Sequence, residues 1–137
     1  MLAIGELSRS TGVKVPTIRY YEQMGLISAA GRSEGNQRRY EPSDRDRLAF
    51  IKHARDLGFT IDAIRELLDL SANPECPCAQ ADEIAGRQLQ SVQDKIARLT
   101  VLEDELRRMT TRPHGDHVRD CYIIRSLADH ALCRHEH

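Results

Sequence analysis

The sequence predicts a mainly α fold, and three observations predict it. Two short helical patterns flank a glycine at Gly12, an arginine-rich hairpin pattern follows over residues 31–40, and a heptad-spaced apolar stripe lies between Ala79 and Thr110. The expected organisation is a winged helix-turn-helix over residues 1–70, a long pairing helix over 79–110, and a loop, short helix and tail over 111–137.

The elements follow in order. Ile4, Leu7 and Ser8 open a first helix that Gly12 ends, since glycine readily takes the left-handed conformation that closes helices. The stretch VKVPTIRYYEQMGL, residues 13–26, reads as a second helix with Pro16 in its first turn, where a missing N–H costs no hydrogen bond. Ile18, Tyr21 and Leu26 are its candidate core residues, and Gly25 is its stop. Two short helices about a glycine turn make a helix-turn-helix pattern. Ser33, Gly35 and Asn36 then supply the turn of a β-hairpin, with Arg38, Arg39 and Tyr40 after it. A third helix follows Pro42, with Ser43 as its N-cap and Leu48, Ile51 and Leu57 on its apolar side. Gly58 breaks it. Thr60 caps a fourth helix whose Ile61, Ile64, Leu67 and Leu68 share one face.

In the long helix, Ala85, Leu89, Val92, Ile96 and Leu99 are spaced 4, 3, 4 and 3, which is a coiled-coil a/d seam. The register slips at Leu102 and resumes through Leu106 and Met109. From Ala79 to Thr110 the helix would span roughly 48 Å at ~1.5 Å per residue. Too little chain remains to cover that seam, so a second copy is the expected partner; packing within one chain is the alternative. Pro113 and Gly115 open a loop, and CYIIRSLADHAL reads as a short terminal helix.

Charge divides the chain. Residues 1–57 hold 10 Lys+Arg against 7 Asp+Glu, whereas residues 58–137 hold 10 against 14. A basic front and an acidic back suggest a nucleic-acid end and a partner end. Aromatics make up 4% of the 137 residues and Trp is absent, which argues against a large core. The opening MLAIGELSRS carries Glu6 where a secretory leader would be apolar. No apolar run approaches the ~18–20 residues that cross a membrane. The expectation is a cytoplasmic protein without a membrane partner, in which cysteines more often bind metal or react than form disulfides.

On the second helix, Thr17, Arg19 and Tyr20 project outward while Ile18 and Tyr21 face in, and Lys14 precedes them. Arginine makes bidentate contacts with guanine or phosphate, and tyrosine offers a hydroxyl to phosphate oxygen. Each of these side chains alone is also what a solvated surface looks like. Helix-turn-helix, basic wing and dimer seam together favour duplex DNA, read by a symmetric dimer at two half-sites related by a dyad.

IGELSRSTGVKVPTIRYYEQMGLI, GRSEGNQRRY and RLAFIKHARDLGFTIDAIRELL resemble the DNA-binding domain of MerR-type transcriptional regulators. The TIRYYE helix and the Arg38-to-Tyr40 ending of the wing are the most specific pieces. The resemblance continues to the terminal loop. It implies a winged helix-turn-helix joined by a long antiparallel dimerisation coiled coil, followed by a metal-binding loop and short helix. It also implies promoter activation by bending and untwisting DNA until RNA polymerase can read both promoter elements, with Arg19, Tyr20, Arg32, Arg38 and Tyr40 as DNA contacts. Lys14, Thr17 and Arg39 complete the candidate DNA-binding set.

Metal-sensing members of that family bind their ion in the loop before the terminal helix, here RPHGDHVRDC, ending at Cys121. Divalent-metal sensors add a cysteine from the start of the partner's helix, and Cys78 matches that position. The loop's expected first cysteine, near position 113, is absent; Arg112, Pro113 and His114 stand there. His114 and His117 are the nearest replacement donors. A mixed Cys/His set suits Zn²⁺, with Cd²⁺, Pb²⁺ and Co²⁺ behind it. In the tail, His130 and Cys133 share a helical face; they complete the main site, form a second one, or belong to a flexible end. The candidate metal ligands are therefore Cys78, His114, His117, Cys121 and Cys133. Cys76 is a further chelating thiol or a spectator.

Three other readings stay open. A redox-sensing regulator of the same fold would use Cys76, Cys78 or Cys121 as its reactive thiolate. A zinc-stapled dimeric interaction module would lack promoter activity. An enzyme would need a substrate cleft beside an open metal position, and the sequence offers none, so no catalytic activity is expected.

Overall fold

The computed structural model describes residues 1–111 and 117–129. Candidate ligands His114 and Cys133, and the tail histidine His130, lie outside the described residues. The chain divides into two compact units, Met1–Ile84 and Ala85–His137.

In the first unit the strand β1 (Leu2–Ala3) leads into α1 (Ile4–Thr11) and α2 (Val15–Gln23). Gly12 caps α1 at φ 75°, and its N–H donates to the Ser8 carbonyl. That left-handed conformation is one most side chains resist, and it turns the chain into the second helix. Pro16 sits at the start of α2, as expected. The hairpin strands are β2 (Gly31–Arg32) and β3 (Arg38–Tyr40), with Asn36 at φ 62° in the turn. The sheet order is β1-β3-β2, antiparallel throughout, with Leu2 opposite Tyr40 and Gly31 opposite Arg39. Sequence reasoning missed β1. Two residues are too few to show a period, and their partners lie far along the chain.

Next come α3 (Ser43–Asp56) and α4 (Ile61–Ser71). Thr60 caps α4 as expected, its hydroxyl accepting the Ala63 N–H at 3.1 Å. Ser43 is not the cap of α3. Pro42 occupies that position, Ser43 is already helical, and the Asp44 carboxylate accepts the Glu41 N–H at 2.9 Å instead. Leu7, Ile18, Leu26, Tyr40, Leu48, Ile51 and Ile64 form the heart of the core, each at most 1% exposed. Truncating one of the aliphatic residues, such as Ile51→Ala, costs about 2–5 kcal/mol in a site packed this closely.

The helix α5 runs unbroken from Ala79 to Thr111, 33 residues, or about 50 Å at ~1.5 Å per residue. Its seam is bare: Leu89, Ile96, Leu99 and Leu106 are each more than half exposed. Met109 departs from the expected seam, because it is 4% exposed and buried within its own chain. Among the described residues after α5, a 3-10 turn (Val118–Asp120) leads to α6 (Tyr122–Ala128). Among the described residues no helix is long and apolar enough to cross a membrane.

Candidate nucleic-acid interface and metal ligands

The 3.6-residue period of α2 buries Ile18 and Tyr21 and leaves Arg19 and Tyr20 in solvent, Tyr20 at 47% exposure. The Tyr20 ring lies 6.0 Å from that of Tyr21, tilted by 54°. Lys14, the residue before α2, is exposed, and Thr17 is half-buried. Arg32 is exposed on the hairpin and bends to its turn, donating to the Asn36 carbonyl at 3.3 Å.

Arg19, Arg32 and Arg38 line one cleft of 360 Å³ together with Ala3 and Gly5 at the start of α1. A second cleft of 480 Å³ is lined by Pro16, Tyr20, Glu22 and Gln23, and shares Arg19 and Arg38 with the first. The structure thus gathers three arginines from helix and wing beside the start of α1. Such a surface suits a polyanion.

Tyr40 is a correction. It is fully buried, so its ring is not offered to a phosphate. The strand alternates faces, which puts Tyr40 on the same side as Arg38 and Arg39 on the other. Both Arg38 and Tyr40 reach Glu22 of α2: Arg38 Nε stands 3.1 Å from the carboxylate, and the Tyr40 hydroxyl donates to it at 3.3 Å. Burial pushes the Tyr40 phenol above its ordinary value, and the Glu22 carboxylate adds to the rise. Glu22 therefore ties the wing to α2. Sequence reasoning passed over it, although its place four residues after Ile18 marks it as near the inward face.

Two more arginines hold α2 from behind. Arg47 of α3 donates to the Leu26 carbonyl at 2.5 Å, and Arg65 of α4 to the Met24 carbonyl at 2.6 Å. Nothing in the sequence near Arg65 points to a partner so far away.

The candidate metal ligands are less assembled. Cys76 and Cys78 are exposed in the loop before α5, and Cys78 Sγ stands 4.0 Å from the Asp82 carboxylate one turn on. Cys121 is half-exposed between the 3-10 turn and α6, and His117 is exposed. Among the described residues no three His, Cys, Asp or Glu side chains converge on one point. The donor chemistry, accessible thiols with an imidazole, fits a borderline divalent ion of the zinc type.

Near Cys121 lies a group that sequence reasoning missed. Glu105 and Arg108 of α5 are paired and shielded from solvent, their side chains 3% and 13% exposed. Arg108 also donates to the Tyr122 hydroxyl, with its guanidinium carbon 5.6 Å from the Tyr122 ring centre. The hydrogen bond to Glu105 raises the Arg108 guanidinium above its ordinary value, with a further contribution from Tyr122.

The description "MerR HTH family regulatory protein" matches residues 2–71, and "MerR, DNA binding" matches residues 45–109. The chain belongs to the MerR family. That family consists of DNA-binding transcription regulators, not enzymes. This MerR-family chain is 42% identical over 110 residues to the HTH-type transcriptional regulator ZntR of Escherichia coli (strain K12), covering 80% of this chain and 78% of the relative. It is 38% identical over 126 residues to heavy metal-dependent transcription regulator 2 of Rhizobium meliloti (strain 1021), covering 92% and 86%. Its fold matches the crystal structure of the transcription regulator PbrR691 from Ralstonia metallidurans CH34 in complex with lead(II), with a TM-score of 0.79 at 36% identity, over 93% of this chain and 99% of that one.

Proposed function

We propose that this MerR-family chain is a metal-responsive transcriptional regulator. It binds a dyad promoter operator as a homodimer in the cytoplasm and activates transcription by distorting the DNA when a divalent ion binds. Zinc is the first choice, with Cd²⁺, Pb²⁺ and Co²⁺ behind it. The observation that carries the reading is a property of α5: its apolar stripe is bare, and an accessible thiol flanks it in sequence on either side, Cys78 before and Cys121 after. The names of the relatives, one heavy metal-dependent and one solved with lead(II), support the choice of ligand.

In an antiparallel pair of such helices, the start of one lies beside the end of the other. Cys78 of one subunit would then share an ion with Cys121 of the partner subunit, with His117, His114 and Cys133 as further donors. Bound there, the ion supplies a cross-link between the two chains, at the expense of the ligands' protons. On the DNA side, Arg19, Tyr20, Lys14 and Thr17 meet the groove and its backbone, and Arg32, Arg38 and Arg39 form the wing. Because DNA deformation is the output, the protein can stay on its operator in both states while RNA polymerase reads the reshaped promoter.

The test is a zinc titration of the operator-bound dimer, followed by run-off transcription and by mobility shift. Zinc should raise transcription without removing the protein from DNA. Arg19→Ala should weaken operator binding by about 1–3 kcal/mol if it contacts a base, and less if it holds a phosphate, with zinc affinity unchanged. Transcription indifferent to every divalent ion would end the metal reading, and wild-type operator affinity would remove Arg19 from the interface. A second reading draws on the exposure of Cys76 and Cys78: in a thiol-based redox switch, peroxide would induce where zinc does not.

A further inference from the structure

A buried charged pair in the second unit has no part in the DNA interface or the ligand set. Glu105 is 2% exposed, and the Arg108 side chain beside it is 13% exposed. Removing two charges from water is costly unless each is well paired, and an apolar pair would often serve stability as well. What distinguishes this pair is its third member. The Arg108 guanidinium also donates to the Tyr122 hydroxyl, with its carbon 5.6 Å from the ring centre. Tyr122 is the first residue of α6, and Ser126 one turn later is also buried, so this side of α6 faces inward.

Cys121 is one peptide bond before that contact. Its backbone is held on both sides, with its N–H donating to the Val118 carbonyl and its carbonyl accepting the Arg125 N–H, both at 3.0 Å. A thiol whose backbone is pinned, and whose next residue is clamped to α5, has little freedom to wander from the end of that helix.

We propose that Arg108 and Tyr122, with Glu105 orienting the guanidinium, are positioning residues that hold Cys121 at the end of α5 in a ligating pose. The inference rests on Cys121 being a metal ligand, as read above. Neither Arg108 nor Tyr122 touches the ion. They reduce the order that must be imposed on Cys121 when the ion binds, as the outer-shell partners of metal ligands do.

The experiment uses Tyr122→Phe in the full-length dimer, which keeps the ring and removes only the hydroxyl. Two readouts separate positioning from simple structural support. The first is the alkylation rate of each cysteine in the metal-free reduced protein, resolved by mass spectrometry. The second is zinc affinity by competition with a chromogenic chelator. The expected result is faster alkylation at Cys121 alone, with Cys76 and Cys78 reacting at wild-type rates, and zinc affinity lowered by about tenfold. Arg108→Gln should act in the same direction and more strongly, because it also takes the paired charge away from Glu105. Wild-type zinc affinity in Tyr122→Phe overturns the proposal, and so does equal acceleration at all the cysteines, which would mark general loosening. A Cys121→Ser control keeps the two readings apart: if it binds zinc as the wild type does, the ligand assignment fails, while the alkylation rates still decide whether Tyr122 holds Cys121.

Discussion

Arg65 of α4 donates to the Met24 carbonyl at the end of α2, 2.6 Å away. The last carbonyls of a helix lack partners within it and form the negative end of its dipole. A guanidinium answers both needs, and here it ties α4 to the end of the helix that carries Arg19 and Tyr20. Arg65→Ala should therefore lower stability by about 1 kcal/mol in urea denaturation. It should also weaken operator binding in conditions where the variant is fully folded. An operator affinity equal to that of the wild type would limit Arg65 to stability.

Tyr40 yields a pH dependence. Its phenol is raised in the folded state, first by burial and then by the Glu22 carboxylate. The unfolded phenol ionises near about pH 10. A group raised in this way contributes its stability fully below the unfolded value and loses it as pH rises through the folded one. Tyr40→Phe has no phenol to ionise, but it gives up the hydrogen bond to Glu22, at about 1 kcal/mol. The wild type should thus be the more stable at about pH 8, with its advantage shrinking toward about pH 11. Paired urea denaturations at the two pH values measure this, and a constant gap would mean the phenol ionises alike in both states.

The elements with a period were legible in the amino-acid sequence. The heptad spacing located α5 to within one residue at its end, and the 3.6-residue period of α2 separated Arg19 and Tyr20 from Ile18 and Tyr21. Gly12 and Thr60 were legible because one backbone conformation and one hydrogen bond each demand a residue type. Tyr40 came into the DNA-contact set through the family resemblance alone, and a strand of three residues is too short for alternation to show that its ring is buried. The Arg108–Tyr122 contact was invisible for another reason. Glu105 and Arg108 stand three apart on a helix, a spacing usual for a solvated ion pair, and only tertiary contacts, which no spacing shows, shield this one from water. His114 and Cys133, outside the described residues, remain readings of the sequence.

The bare seam makes the assembly testable. Ile96 is 57% exposed at the middle of α5, with Leu89 and Leu99 on either side of it similarly open. In an antiparallel pair the central residues of the two helices approach one another, so Ile96→Asp would bring two carboxylates together in an apolar interface. Sedimentation should find the variant shifted to monomer at concentrations where the wild type is a dimer. The Met1–Ile84 unit should keep its fold, because its core draws nothing from Ile96. An unchanged dimer would exclude pairing through this stripe.

The shared metal site makes a prediction that no site within one chain makes. Cys78 and Cys121 flank α5 at its opposite ends in sequence, so the antiparallel dimer would build each site from one residue of each subunit. Cys78→Ser and Cys121→Ser should each abolish zinc-dependent transcription while leaving operator binding, which is assigned to other residues, Arg19, Tyr20 and the wing arginines. In a heterodimer of the two variants, one subunit retains Cys78 and the other retains Cys121. One of the two sites then has both thiols, and the other has neither. Mixing the variants under conditions that exchange subunits should restore close to half of the wild-type zinc capacity, counted over the heterodimer fraction. Affinity at the restored site should fall as pH drops, because thiols and imidazoles must release protons to bind the ion. A ligand set contained within one chain predicts no recovery, since every subunit in the mixture lacks one thiol. Heterodimers that form, as native mass spectrometry would establish, and yet bind no zinc would overturn the shared site.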